Sequence, residues 1–298
     1  MRSELPKILV VDDEAQNLEI IKEYLEDEAC EIVLRQDSEQ AWQELEADPN
    51  SYDVIMLDWM MPKLDGLEFL GRIKQHTAMC YTPVIMQTAR TDRQDILQGM
   101  AAGAFYYLTK PYNQQFLIGI IRAAIDDILR FKELESILQQ SDPSQALNSS
   151  AEFEIRNLNE ADQLASLLAN SCPQPDKVIS GISELLINAI EHGNLNIGYA
   201  EKSDLKSRGK WREEIEHRLQ QEEFKHKTAS IKYIKNGTSI SIIIKDEGKG
   251  FNWQNFLEFN PERVFDCNGR GIAMAKMMSF DELQYNESGN EVTAIINH

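Results

Sequence analysis

Five short apolar runs alternate with amphipathic stretches along the first part of the chain. The runs cover 7–12, 31–35, 53–58, 83–88 and 104–108, and the amphipathic stretches cover 15–28, 38–47, 65–75, 92–101 and the segment from 113. Strands that alternate with helices in this way are typical of a parallel sheet with helices on both faces. The pattern therefore predicts an α/β fold built on a five-stranded parallel sheet.

The last amphipathic stretch continues past the point where a small domain would end. Its apolar positions keep a helical spacing as far as Leu138, and a polar segment follows at 139–150. This spacing fits an ordinary final helix with a frayed end, and equally a signalling stalk or a homodimer contact through 113–138. We predict a first domain at 1–125 and a helical stalk and linker at 126–151.

The order of the predicted elements changes after the linker. They are a strand at 152–157, helices at 160–170 and 176–192, strands at 229–235 and 239–246, a helix at 271–279, and strands at 281–286 and 291–297. Asn236 and Gly237 are a strong hairpin signal between two of these strands. Helices and antiparallel strands in separate groups indicate an α+β sandwich over 152–298.

A charged segment at about 198–226 lies within this second domain. Trp211, Ile215 and Leu219 give it an apolar stripe, which is typical of a helix packed on a core. Its charges fit a solvated face, and they also fit a surface that docks a partner protein. The sequence leaves both interpretations open.

The length and net charge of the chain limit the classes of protein to which it can belong. A chain of 298 residues is long enough for two domains. The net charge of -19 opposes contact with nucleic acid, so we expect no DNA-binding output. We find no apolar run of membrane-spanning length and no signal peptide pattern, and we therefore expect a cytoplasmic protein.

Side chains that can carry out phosphoryl chemistry fall at the carboxyl ends of the predicted parallel strands. Asp12 and Asp13 close the first run, Asp58 ends the third, Thr88 ends the fourth and Lys110 follows the fifth. Ligands of doubly wound sheets bind beyond these strand ends. Clustered carboxylates suit Mg²⁺, and Asp58 would then accept a phosphoryl group as an acyl phosphate. Lys110 and Thr88 would meet the phosphoryl oxygens.

These residues stand in four motifs, VVDD at 10–13, LDWMMPKLDG at 57–66, QTA at 87–89 and LTKP at 108–111. Over about 1–125 the sequence resembles the receiver domain of two-component response regulators. The resemblance implies a flavodoxin-like fold and a cognate histidine kinase as phosphodonor. It also implies roles for particular residues: Asp12 and Asp13 as metal acids, Asp13, Asp58 and the Trp59 carbonyl as direct metal ligands, and Thr88 and Tyr107 as a switch pair.

A second group of motifs lies in the C-terminal half. Glu184 and Asn188 are four residues apart in ELLINAIEHGN and so share one helical face. Asp246 opens DEGKGF after an apolar strand, where its carboxylate suits an exocyclic amine such as that of adenine. The Gly-rich stretch from Gly269 through Arg270 to Gly271 begins a helix, whose N-H groups favour phosphate.

In this order the motifs resemble those of the GHKL ATPase superfamily over residues 152–298. The resemblance implies ATP and Mg²⁺ as cofactors, with Asn188 coordinating Mg²⁺ on the ATP phosphates and Asp246 binding adenine. It places Gly248, Gly250, Gly269, Arg270 and Gly271 in the loops around the nucleotide. Thr293 would support adenine through water.

The histidine positions help to choose among the members of this superfamily. The five are His76, His192, His217, His226 and His298, and none lies in 113–175, where a histidine kinase carries its phosphoacceptor. The motifs ELLINAIEHGN, DEGKGF and NGRGIAMAKMM look like those of anti-sigma-factor serine kinases. That resemblance implies Glu184 as general base toward a serine of a STAS-domain anti-sigma-factor antagonist, with a sigma factor as a further partner.

Three hypotheses follow for the whole chain. The first is a response regulator whose output is an ATP-dependent protein serine/threonine kinase. The second is a module that binds an antagonist or sigma factor in an ATP-dependent manner without transferring phosphate. The third is a fragment of a hybrid histidine kinase, and it lacks a suitable histidine.

Overall fold

The computed structural model describes residues 5–89, 93–142, 146–257 and 271–297. The described residues form two compact units, the first ending at Phe131 and the second beginning at Lys132. No helix within these ranges is long and apolar enough to cross a membrane.

Strands and helices alternate strictly in the first unit. Its elements are β1 (Lys7–Val11), α1 (Ala15–Tyr24), β2 (Glu31–Arg35), α2 (Ser38–Ala47), β3 (Val54–Asp58), α3 (Gly66–Gln75), β4 (Val84–Thr88), α4 (Arg93–Ala101), β5 (Tyr106–Thr109) and α5 (Gln114–Gln140). The strands pair in parallel in the order β2-β1-β3-β4-β5. This is the flavodoxin-like order, and it confirms the predicted five-stranded parallel sheet.

The burial of the strands explains why these sequences form a covered sheet. All five residues of β3 and all five of β4 are buried, as expected where helices cover both faces. Neighbours along a strand point to opposite faces, so Ile55 and Leu57 pack with α2 and α3, whereas Val54 and Met56 pack with α1 and α5. The carboxyl ends of β1, β3, β4 and β5 therefore meet along one rigid edge.

An antiparallel sheet and helices make up the second unit. Its elements are β6 (Ala151–Ile155), α6 (Leu158–Asn170), α7 (Pro175–Asn188), a π-helical turn (Ala189–Asn194), α8 (Tyr199–Ser207), α9 (Trp211–Leu219), β7 (Ala229–Lys235), β8 (Ser239–Lys245), a 3-10 turn (Trp253–Phe256), α10 (Gly271–Ser279), β9 (Glu282–Tyr285) and β10 (Glu291–Asn297). The sheet has the order β6-β7-β8-β10-β9 with antiparallel neighbours. The helices and antiparallel strands predicted from the sequence are thus present.

One face of this sheet carries the core of the second unit. Ile240, Ile242 and Ile244 alternate with more exposed residues along β8, and the buried set joins side chains of α6, α7 and α10. The predicted hairpin between β7 and β8 is confirmed, since the Asn236 N-H donates to the Ser239 carbonyl at 2.9 Å.

Helix α5 extends past Leu138, the last apolar position of the pattern that predicts it. It ends at Gln140, inside the segment that we expected to be a polar linker. Leu134 and Leu138 are buried in the hydrophobic core of the second unit. The hydroxyls of Ser141 and Ser166 approach to 2.7 Å beside them. The end of the helix is therefore packed rather than frayed.

Leu134→Ala is expected to lower the free energy of unfolding of the second unit by about 2–5 kcal/mol, because it leaves a cavity in that core. Chemical denaturation of the full chain measures this loss. Leu129→Ala is the matched control, since Leu129 is an exposed leucine of the same helix and its loss should change stability by less than about 0.5 kcal/mol. Equal effects of the two substitutions would contradict the packed helix end.

The charged segment at 198–226 contains α8 and α9. Ile215 and Leu219 are buried in the core of the second unit, and Trp211 packs against that core. The apolar stripe therefore faces inward, in agreement with the packed-helix interpretation.

Candidate functional site

Three charged side chains meet at the carboxyl edge of the parallel sheet. Lys110 follows β5, and its Nζ lies 2.7 Å from Asp12 Oδ2 and 2.6 Å from Asp58 Oδ1. The lysine thus joins the ends of β1 and β3. Burial by itself lowers the pKa of the Lys110 ammonium, but its hydrogen bonds to Asp12 and Asp58 outweigh burial and raise that pKa. Lys110 therefore remains a fixed positive charge at this edge.

Backbone and side-chain donors orient the two carboxylates. The Glu14 N-H and the Asn17 side chain both donate to Asp12 Oδ1 at 3.0 Å. The Met60 N-H donates to Asp58 Oδ2 at 2.7 Å. Asp12 is fully buried, whereas Asp58 keeps 7% of its surface exposed. Asp58 is therefore held in place yet open to an incoming group.

The other residues predicted for this pocket differ in their exposure to solvent. Asp13 is exposed, next to the buried Asp12. Thr88 and Tyr107 are buried, and the Tyr107 ring packs edge-on against the Trp59 ring with 5.8 Å between centroids.

The carboxylate and carbonyl donors of this edge have the chemistry that Mg²⁺ prefers. The Trp59 carbonyl already accepts a hydrogen bond from the Gly66 N-H at 3.0 Å, which leaves one lone pair for a metal. Within the described ranges, no group of three or more His, Cys, Asp or Glu side chains is close enough to hold a metal without such a carbonyl. The predicted metal ligands are two carboxylates, those of Asp13 and Asp58, and one backbone carbonyl, that of Trp59.

A cavity of about 270 Å³ opens within the second unit. Five residues predicted for a nucleotide site line it: Glu184, Asn188, Asp246, Gly250 and Gly271. They come from α7, the loop after β8 and the start of α10. The structure therefore brings together three motifs that are up to 87 residues apart in the sequence, counted from Glu184 to Gly271.

The polar face of α7 has the geometry that its spacing predicts. The Asn188 side chain donates to Glu184 Oε1 at 3.1 Å. A Cβ at Gly271 would collide with the Glu184 carboxylate, so a larger residue at the start of α10 would displace that carboxylate. Burial alone would raise the pKa of Glu184, but the positive charge of Lys202 and the Asn188 hydrogen bond outweigh burial and lower it. Glu184 is thus an ionised carboxylate that can accept a proton.

Asp246 lines the same cavity from the loop after β8. The Gly248 N-H donates to its Oδ1 at 2.7 Å, although Gly248 itself does not line the cavity. A Cβ at Gly193 would collide with the Asp246 carboxylate, which explains a glycine at the end of the π-helical turn. Burial raises the pKa of Asp246 from 3.8 to about 6.

Aromatic side chains form a wall of the cavity that sequence reasoning missed. Phe251, Phe256 and Tyr285 line it, with the Phe251 ring 5.3 Å from Phe256 and 5.5 Å from Tyr285. Burial, together with the charges of Glu184 and Asp246, raises the pKa of Tyr285. The only signal in the sequence is that two of these aromatics follow the Gly-rich loop closely. The Phe251 ring stands edge-on to both neighbours, at interplanar angles of 76° and 85°. An aromatic ring in this wall can pack against a planar group such as a nucleobase.

The structure does not bring every predicted residue to the cavity. Along β10, Val292 faces the core and lines the cavity, so Thr293 points to the other face of the sheet. Thr293 is not among the residues that line the cavity, and its support of adenine through water stays a prediction. Gly269 and Arg270 lie outside the described residues. Lys202 lines the cavity, and the sequence had not suggested it.

Comparisons with known proteins agree with the geometry of the first unit. The model of the response regulator receiver domain matches residues 8–122. The transcriptional regulatory protein CpxR of Escherichia coli K12 is 40% identical over 119 residues, which are 40% of this chain and 49% of CpxR. The phosphate regulon transcriptional regulatory protein PhoB of the same strain is 36% identical over 120 residues, which are 40% of this chain and 51% of PhoB.

A solved structure of a receiver domain protein from Clostridium thermocellum is 36% identical, with a TM-score of 0.39, and the match covers 44% of this chain and 98% of that chain. This chain spans about half the length of the two curated relatives. The family match, the strand order and the Asp12, Asp58 and Lys110 cluster fall in the same segment. Residues 8–122 of this chain are therefore a response regulator receiver domain.

Proposed function

We propose that the chain is a response regulator whose second unit is an ATP-dependent protein serine/threonine kinase. The observation that carries the kinase proposal is the cavity in which Glu184, Asn188 and Asp246 converge. A cognate histidine kinase would phosphorylate Asp58, and the substrate of the second unit would be a serine of a STAS-domain antagonist of an anti-sigma factor. The kinase proposal rests on the resemblance of its motifs together with this geometry.

Phosphorylation of the receiver would proceed at the sheet edge. An Asp58 carboxylate oxygen attacks the phosphorus of a phosphohistidine, the phosphorus-nitrogen bond breaks, and an acyl phosphate forms. Lys110 lies beside that carboxylate, where its ammonium can meet the developing charge on the phosphoryl oxygens. Mg²⁺ held by Asp13, Asp58 and the Trp59 carbonyl would supply further positive charge.

The serine transfer would proceed in the cavity of the second unit. Asp246 and the aromatic wall would hold adenine, and Asn188 would hold Mg²⁺ on the phosphates. Glu184 accepts the proton of the serine hydroxyl while the serine oxygen attacks the terminal phosphorus, and ADP leaves. The lowered pKa of Glu184 keeps its carboxylate ready to accept this proton.

The names of the matched relatives describe regulators of transcription rather than kinases. CpxR and PhoB are named transcriptional regulatory proteins, and they match over 119 and 120 residues of this chain. The net charge of -19 opposes binding to the phosphates of DNA. We therefore propose that the second unit acts on a protein rather than on DNA.

The most direct test of the kinase is transfer of the terminal phosphate of labelled ATP. The full chain, labelled ATP, Mg²⁺ and a STAS-domain protein are incubated together. We expect label on a serine of the partner and no acid-labile phosphohistidine in the chain. Tight partner binding that needs ATP, without label on the partner, would favour the second hypothesis of a binding module.

Adenosine affinity is expected to fall about tenfold between pH 7.5 and pH 5, because protonation removes the carboxylate that accepts the adenine amine. Binding to the full chain is measured by calorimetry across this range. Asp246→Asn should show a flat profile. An equal pH response in that variant would contradict the adenine role of Asp246.

The same titration affects folding with the opposite sign. The folded chain holds a proton on Asp246 up to about pH 6, whereas the unfolded chain releases it near 3.8. The stability from this group is therefore fully present below about pH 4, and it is lost as the pH rises through about 6. Weaker adenosine binding at pH 5 thus cannot be attributed to unfolding caused by Asp246.

A further inference from the structure

Among the described residues that line the cavity of the second unit, acidic residues outnumber lysine and arginine. Glu184, Asp246 and Glu291 are the acidic residues among those that line it. Among the described residues that line it, Lys202 is the only lysine or arginine. An anionic ligand in such a cavity is repelled unless positive charge meets it directly.

Lys202 belongs to α8 and is held by a buried acid. Its Nζ lies 2.9 Å from Glu191 Oε2, and the two side chains are 11% and 0% exposed. Glu191 sits in the π-helical turn that follows α7. Neither carboxylate oxygen of Glu191 has a well-aligned hydrogen bond to the described residues. The Lys202 ammonium is therefore the charge that compensates Glu191.

The contribution of such a buried ion pair to folding stability does not explain why the pair is present. Desolvation of the two charges costs about as much as their attraction returns, and apolar replacements are often as stable. π-Helical turns inside helices also occur frequently at functional sites. Lys202 of this pair lines the cavity, and this position indicates a role in binding.

A second cation fixes the same turn from α9. The Arg218 guanidinium donates to the carbonyls of Leu195 at 2.9 Å and Asn196 at 3.1 Å, just after the π-helical turn. Helices α8 and α9 are thus anchored to the end of the helix that carries Glu184 and Asn188. The charge of Lys202 reaches Glu184, whose pKa it helps to lower.

We propose that Lys202 binds the phosphate groups of the nucleotide and that Glu191 positions its ammonium at the cavity wall. This inference rests on the proposed nucleotide binding of the second unit. An ammonium has three donors, so Lys202 can keep its contact with Glu191 while it donates to a phosphate oxygen. The segment at 198–226 would then complete the nucleotide site.

The test compares Glu191→Gln with the double variant Glu191→Gln/Lys202→Met in the full chain. Both variants lack the Glu191 carboxylate, and only the single variant keeps the Lys202 ammonium. The glutamine oxygen can still accept a hydrogen bond from that ammonium and hold it in place, so the difference between the variants isolates the ammonium. Calorimetry with MgATP should show binding roughly tenfold or more weaker in the double variant, the loss expected for one charge-assisted hydrogen bond. Adenosine binding should be the same in both variants. Lys206→Met removes an exposed lysine of the same helix and should weaken MgATP binding far less.

Each other outcome has a definite meaning. Equal MgATP binding by the single and the double variant would overturn the role of Lys202 while leaving the proposed function intact. Equal weakening of MgATP and adenosine would show that Lys202 only maintains the shape of the cavity, and would overturn the inference as well. Failure of the unaltered chain to bind either probe would overturn the proposed function, and the role of Lys202 with it. Thermal unfolding of both variants confirms that they are folded.

Discussion

Asp58→Asn is expected to abolish phosphorylation of the chain by acetyl phosphate and by any cognate histidine kinase. The amide lacks the nucleophilic carboxylate oxygen, and Asp12 beside it cannot replace it. Asp12 is fully buried, and both of its oxygens already accept hydrogen bonds. The amide oxygen introduced at position 58 can still accept from the Met60 N-H, so the fold of the loop should persist.

Intact mass spectrometry measures this loss as the absence of one added phosphoryl group. Asp65→Asn is the control, because Asp65 is an exposed acid a few residues further along that caps α3, and asparagine caps a helix equally well. It should be phosphorylated like the unaltered chain. Full phosphorylation of Asp58→Asn would show that the acceptor lies elsewhere.

Glu184→Gln is expected to slow transfer from ATP to the partner serine by about 10²- to 10⁴-fold, the contribution typical of a general base. Glutamine keeps the size of the side chain and an oxygen that can accept the Asn188 hydrogen bond. MgATP binding should therefore remain within a few-fold of the unaltered chain. Single-turnover transfer and calorimetry separate the two effects.

Glu291→Gln is the matched control for this substitution. Glu291 lines the same cavity from β10, and its carboxylate lies 3.7 Å from the Lys245 ammonium. Neutralising it removes one negative charge from a residue that borders the cavity, without touching the proposed base. Equal slowing by both variants would indicate a general electrostatic effect, and unchanged transfer in Glu184→Gln would exclude a base role.

The elements of the first unit are predicted well because its pattern is local. The runs that become β3 and β4 are apolar throughout, and a strand buried on both faces is the only common structure that short runs of this kind form between helices. The site follows from the same rule, since parallel strands deliver their carboxyl ends to one edge. Asp12, Asp58 and Lys110 accordingly meet there.

The second site is predicted only where its spacing is helical. The contact between Glu184 and Asn188 follows from four residues along one helix. Lys202 was missed because its pairing with Glu191 depends on a π-helical turn, which no periodicity in the sequence signals. Thr293 does not line the cavity, as the alternation of β10 indicates, since Val292, Ala294 and Ile296 form the buried set.

We propose that phosphorylation of Asp58 controls the rate at which the second unit of the same chain transfers phosphate from ATP. The most direct test of this proposal is the rate of transfer from labelled ATP to the partner serine, measured with and without prior phosphorylation by acetyl phosphate. We expect treatment with acetyl phosphate to change this transfer rate in the unaltered chain and to leave the transfer rate of Asp58→Asn unchanged. Identical rates for the phosphorylated and unphosphorylated chain, or no transfer in either state, would contradict this proposal.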